Sequence, residues 1–225
     1  MDYVNHLVKH FATHADVNNA VPMKRYMKNR FEFFGIKSPE RKTLTRTFFM
    51  EYGLPDAKDT NEFLRHIWEQ PQRELHYVGL DILEKLVKRQ KIADVDLLEF
   101  LITTKSWWDT VDWLATRIVG VHLKHYPDEI NSIHKDWMDS KNMWLQRVCI
   151  LFQLKYKNET DVPLLFDTIK RLSDSDEFFI QKAIGWALRE YSKTDPDIVL
   201  RFVDTHDLKP LSRREALKVI KRQVR

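Results

Sequence analysis

Segments that recur every thirty-five residues constrain this chain more than any other feature. Asp112, Arg147 and Lys182 stand one interval apart, each inside an unusually apolar and aromatic stretch. The stretches are Ser106-Trp107-Trp108-Asp109-Thr110-Val111-Asp112, Met143-Trp144-Leu145-Gln146-Arg147-Val148 and Phe178-Phe179-Ile180-Gln181-Lys182-Ala183. One interval further back lies Tyr77, within Glu74-Leu75-His76-Tyr77-Val78-Gly79-Leu80. A fixed period of this size is produced by stacked helical pairs, in which equivalent positions face one side of a superhelix. A carboxylate, a guanidinium and an ammonium then line up on one surface, with Trp108 and Trp186 a helical turn away.

Start and stop signals and apolar spacing agree with helices throughout. Apolar residues recur three and four apart, as in Trp107, Val111, Leu114 and Ile118, and no sustained alternation suggests a strand. Pro39, Pro71 and Pro127 stand where first helical residues would, Ser38 has the place of an N-cap, and Ser212 with Glu215 has capping-box spacing. Only five glycines occur in 225 residues, and no Ser/Gly-rich linker divides them. The expected architecture is all-α, a single curved HEAT-like solenoid over residues 1–225 with residues 1–60 as an atypical helical cap. The tetratricopeptide pattern Trp-x-x-Leu-Gly-x-x-Tyr is absent, which favours the HEAT-like class.

Apolar content of 43% and charged content of 31% are those of a globular protein. No apolar run reaches the ~20 residues of a membrane span, and no secretory signal opens the chain. A lone cysteine, Cys149, excludes a disulfide framework and a cysteine zinc site. A cytoplasmic location fits these features, and a monomer is expected. Net charge is only +4, but the cations are segregated. Lys24, Arg25, Lys28, Arg30, Lys37, Arg41, Lys42 and Arg46 crowd the beginning, and Arg213, Arg214, Lys218, Lys221, Arg222 and Arg225 the end. Segregation of this kind creates a positive face for phosphates.

Trp108 and Asp112 share one helix face on the flank of the core stripe, so they can face a groove while the helix stays packed. Arg147 stands in a nearly apolar helix, where a guanidinium is costly unless it meets an anion. Trp186 and Arg189 follow Lys182 within two turns, and aromatic planes among cations suit sugars, bases and phosphates. Trp68, Trp113, Trp137 and Trp144 are expected in the core. His6, His10 and His14 have the spacing of a metal-binding face but weak specificity, and no metal or other cofactor is expected. No Gly-rich phosphate loop, Gly-x-Ser-x-Gly or His-Glu-x-x-His motif is present.

The residues quoted above, together with Tyr26-Met27-Lys28-Asn29, Phe34-Gly35-Ile36-Lys37-Ser38-Pro39-Glu40-Arg41 and Ile184-Gly185-Trp186-Ala187-Leu188-Arg189-Glu190, carry a resemblance over nearly the whole length. The chain resembles the AlkD-type DNA glycosylases of the HEAT-like-repeat DNA alkylation repair family. The Trp-Trp-Asp-x-Val-Asp string with its downstream Arg is the specific part. The resemblance implies excision of N3- and N7-alkylated purines from double-stranded DNA, with Asp112, Trp108 and Trp186 as catalytic residues and no base-flipping pocket. DNA contacts are then expected from Arg147, Lys182, Arg189, Tyr26 and Lys28, with Arg147 also supporting the cleft. Lys37 stands where some relatives carry glutamine. The competing expectation is a non-catalytic scaffold for DNA or protein, which has no use for Asp112 in a basic cleft. Charge reversal at Arg147 or Lys182 is expected to weaken DNA binding more than reversal at Lys91.

Overall fold

The computed structural model describes residues 2–55, 59–87 and 94–223, and among them the secondary structure is helical apart from one isolated parallel bridge, Glu32 with Gln72. The helices are α1 (Asp2–Ala12), α2 (Val17–Tyr26), α3 (Ser38–Tyr52), α4 (Thr60–Glu69), α5 (Arg73–Val87), α6 (Val95–Thr103) and α7 (Trp108–Trp113). They continue with α8 (Gly120–His125), α9 (Ile130–Asp139), α10 (Met143–Leu151), α11 (Val162–Leu172), α12 (Phe178–Tyr191), α13 (Pro196–Thr205), α14 (Pro210–Ala216) and α15 (Ile220–Gln223). Helix starts at Ser38, Arg73, Trp108, Met143 and Phe178 follow the thirty-five-residue interval without a slip. This is an all-α helical-repeat fold. Lys91 and Arg225 lie outside the described residues, as does the side chain of Arg222.

The chain divides into two compact units, one within Met1–Leu86 and Asp94–Lys105, the other chiefly within Ser106–Arg225. In the first unit, buried Glu74 accepts hydrogen bonds from the backbone N–H groups of Phe34, Gly35 and Ile36. Its carboxyl is pushed above the usual range by burial, against those N–H donors. Gly35 has φ 90° and lies where a Cβ would come within 2.0 Å of the Asp16 carbonyl oxygen, so only glycine fits. Tyr26 and Lys28 are exposed at and just past the C-terminal end of α2. Part of the early basic cluster is spent internally, since buried Arg41 pairs with Asp81 at 2.6 Å and Lys24 with Glu32 at 2.5 Å.

Several terminal signals act differently from expectation. Lys37, not Ser38, holds the cap position of α3. Pro71 lies in the loop before α5, where its carbonyl accepts from the Glu32 N–H, so the bridge claims it rather than a helix. Ser212 and Glu215 form no capping box, because α14 starts earlier and both side chains turn to α12. Trp68 and Trp137 are core as expected, whereas Trp113 and Trp144 are half-buried. A guanidinium, Arg117, covers the Trp113 ring at 4.5 Å. The histidine series does not converge: His6 packs on Tyr52 while His14 Nδ1 faces the His10 carbonyl oxygen.

In the second unit α7 runs without a break through a π-helical segment, Leu114–Val119, into α8. Gly120 allows this helix to meet the chain after α10, where an added Cβ would lie 2.3 Å from the Phe152 carbonyl oxygen. The Tyr156 hydroxyl donates to the Gly120 carbonyl at 2.6 Å and closes the same contact. A Gly120→Ala substitution must move backbone, so it should destabilise the protein by about 1–3 kcal/mol, read as a lowered melting temperature. An unchanged melting temperature would show that the contact yields freely.

Candidate DNA-facing active site

Asp112 lies two residues before the π segment, and the Thr116 hydroxyl donates to its carbonyl oxygen at 2.8 Å. Widened helical turns of this type recur at functional sites. The i, i+4 spacing places Trp108 beside Asp112, and both line a pocket of about 280 Å³ with Arg147, Phe178, Phe179, Lys182, Trp186 and Arg189. Its walls therefore come from α7, α10 and α12, which are successive members of the thirty-five-residue series.

Arg147 is only 4% exposed, and its guanidinium grips Asp112 along one edge. Nε donates to Oδ1 at 2.7 Å and Nη2 to Oδ2 at 2.8 Å, while Nη1 donates to the Phe179 carbonyl. Paired, bidentate donation is the strongest geometry open to a carboxylate and fixes its plane. Beneath the guanidinium lies an aromatic cluster, with Phe179 at 5.0 Å from both Trp107 and Trp144. The anion that the buried guanidinium demands is thus Asp112. Arg147 therefore contacts the carboxylate directly, and three of its five N–H donors are used in these bonds.

Asp112 keeps 17% of its side chain exposed, toward the pocket. Burial pushes its carboxyl above the ordinary range, Arg147 pulls back through hydrogen bonds and charge, and nearby Asp109 pushes up again. The net direction is up. Any activity that needs the carboxylate should then fail, as pH falls, at a value above an ordinary aspartate's. Arg147→Met removes the opposing pull, so its acid limb should lie at higher pH than that of the wild type, with Arg147→Lys between them. Rate–pH profiles of the three proteins decide this, and coincident acid limbs would exclude Arg147 as the group holding the carboxylate ionised.

Lys182 and Arg189 stand on α12 with Trp186 between them, as expected, but they share an acidic partner that sequence spacing did not suggest. Glu215 of α14, 5% exposed, lies 3.1 Å from Lys182 Nζ and 2.7 Å from Arg189 Nη1. Burial opposes its ionisation, yet hydrogen bonds from Lys218, Lys182 and Arg189 and the charge of Lys182 hold its carboxyl down at about 2. Phe178 is the other missed residue: 58% exposed, it lines the pocket. Its signal was available, because Phe178 precedes Lys182 as Trp108 precedes Asp112. Tyr26 and Lys28 belong to the first unit and are not among the residues lining this pocket.

Among the described residues no group of histidine, cysteine, aspartate and glutamate side chains is gathered to hold a metal ion, and no helix is long and apolar enough to cross a membrane. Comparison with curated proteins gives no match. A solved structure from Enterococcus faecalis, described as a predicted DNA alkylation repair enzyme, is similar at 32% identity and a TM-score of 0.81, over 91% of this chain and 95% of that one. The sequence profile of the DNA alkylation repair enzyme family matches residues 7–220. With its repeat fold and paired acid, the chain belongs to the DNA alkylation repair enzyme family.

Proposed function

We propose that this protein is a monofunctional DNA glycosylase, a cytoplasmic monomer that hydrolyses the N-glycosidic bond of cationic N3- and N7-alkylated purines in duplex DNA. The observation that carries this reading is the single carboxylate, Asp112, held rigid by Arg147 in a pocket walled by Trp108, Phe178 and Trp186. Alkylation at N3 or N7 makes the purine a cation and hence a good leaving group, so no protein acid is needed to expel it. What the reaction lacks is a partner for the positive charge that develops on the deoxyribose as the bond breaks. One carboxylate supplies that, in contrast to the pair used on neutral glycosidic bonds.

The Arg147 charge behind Asp112 limits the benefit. At about 4 Å and an effective dielectric of ~20, a carboxylate stabilises a unit cation by about 4 kcal/mol. A guanidinium about 4 Å farther off takes back about 2 kcal/mol, which leaves about 2 kcal/mol, or roughly thirtyfold in rate. The remainder has to come from ring faces and water placement. Trp108 and Trp186 present faces to the sugar, and cation–π attraction is worth about 0.5–2 kcal/mol for each. The free lone pairs of Asp112 orient the attacking water and receive its proton as the C–O bond forms, the purine leaving with the glycosidic electron pair.

Backbone phosphates are the natural partners of Lys182 and Arg189 here, and of Tyr26 and Lys28 in the first unit. Recognition then runs through the backbone and the lesion's charge, with the base left in the stack. Purine release from methylated duplex DNA by the purified protein, with Asp112→Asn as the control, tests the proposal. Binding without release by the wild type would leave a DNA-binding scaffold as the function.

A further inference from the structure

We propose that Glu215 is a positioning residue which gathers Lys182, Arg189 and Lys218 into one clamp for the DNA phosphate backbone beside the Asp112 pocket. This rests on the glycosylase reading for its catalytic consequence but not for its binding consequence. One oxygen, Oε1, contacts Lys182 Nζ at 3.1 Å and Lys218 Nζ at 2.7 Å, and Oε2 contacts Arg189 Nη1 at 2.7 Å. Three cations around one anion leave two positive charges over. All three keep solvent-facing surface, with side chains 37%, 46% and 26% exposed for Lys182, Lys218 and Arg189. A phosphodiester can therefore reach them while Glu215 stays covered beneath.

The packing shows how the acid is placed. At Gly185 an added Cβ would lie 2.4 Å from Glu215 Cβ and 2.9 Å from the Ser212 carbonyl oxygen. That close approach seats α14 on α12, and the Ser212 hydroxyl fastens it by donating to the Gln181 carbonyl at 3.0 Å. Since Gly185 lies between Lys182 and Arg189 on the helix, the carboxylate emerges between the two cations. Without it, three like charges, two on α12 and one in the turn after α14, would repel and their long side chains would swing freely. An acid beside a phosphate site costs some attraction, but fixing the cations beforehand removes ordering entropy from the binding step. Lys218, a residue outside the pocket wall, is thereby brought into the DNA-contacting set.

Two measurements on the full chain separate this role from a merely structural one. The first is the salt dependence of binding to undamaged duplex DNA. Lys218→Met should weaken binding and reduce the slope of log affinity against log salt by about 0.9, the loss of one phosphate contact. The second is single-turnover release of 7-methylguanine at saturating protein. Glu215→Gln should lower that rate about tenfold while its affinity for undamaged duplex changes much less, because the loss of a negative charge offsets the ordering cost of the loosened cations. An unchanged salt slope in Lys218→Met overturns the proposal. So does wild-type release by Glu215→Gln, or an equal fall in both its rate and its affinity, which is the mark of structural damage. If the wild type releases no purine, the glycosylase reading has failed, and the salt slopes alone decide the clamp.

Discussion

Asp112→Asn should remove nearly all purine release from alkylated duplex DNA while leaving DNA binding intact or tighter. The two effects separate because the carboxylate acts on different charges in the two steps. In binding it repels phosphates, so its removal helps, and the freed Arg147 adds attraction. In bond cleavage it is the negative group nearest the developing sugar cation and the acceptor for the attacking water's proton. Loss of both roles should lower the single-turnover rate by about a hundredfold or more, of which about 2 kcal/mol is the electrostatic part. Asparagine keeps one acceptor for the Arg147 fork but removes its counter-charge, and breaking a buried pair costs about 3–5 kcal/mol of stability. A melting curve on the variant must therefore accompany the assay. A folded Asp112→Asn protein that still releases purines at the wild-type rate would end the proposed mechanism.

Substrate choice should follow the charge of the lesion rather than its size. N3- and N7-alkyl purines carry a positive charge that already weakens the glycosidic bond, whereas uracil in DNA is neutral and needs help to leave. The pocket supplies one carboxylate and no second acid among its lining residues. We expect release of 7-methylguanine and 3-methyladenine, continued release when the alkyl group is larger, and rates for uracil at least a thousandfold lower. Enzymes that enclose the base read its edge and reject enlarged substituents. A competition series of methyl-, ethyl- and hydroxyethyl-purines against uracil in one duplex context measures this directly. Efficient uracil excision, or a steep fall with alkyl size, would require an enclosing base pocket.

The helical class, the repeat interval and the phase of the site were determined by sequence, for a simple reason. Stacked helical pairs repeat because each must bury the same face against its neighbour, so positions thirty-five apart share an environment whatever the details. That logic brings Trp108, Asp112, Arg147, Lys182 and Trp186 together, and it extends to Phe178. Only the tertiary structure decided the pairing of charges. A lone Asp and a lone Arg one interval apart suggest a shared surface, but whether the guanidinium turns to solvent or to the acid depends on the packing of Trp107, Trp144 and Phe179 beneath it. Glu215 was hidden for a related reason: its capping-box spacing with Ser212 is a local signal, overridden when Gly185 lets α14 settle onto α12. Local spacing reports which face a residue occupies. The partner it meets there is fixed by backbone approach distances, and those follow from long-range contacts that no single segment encodes.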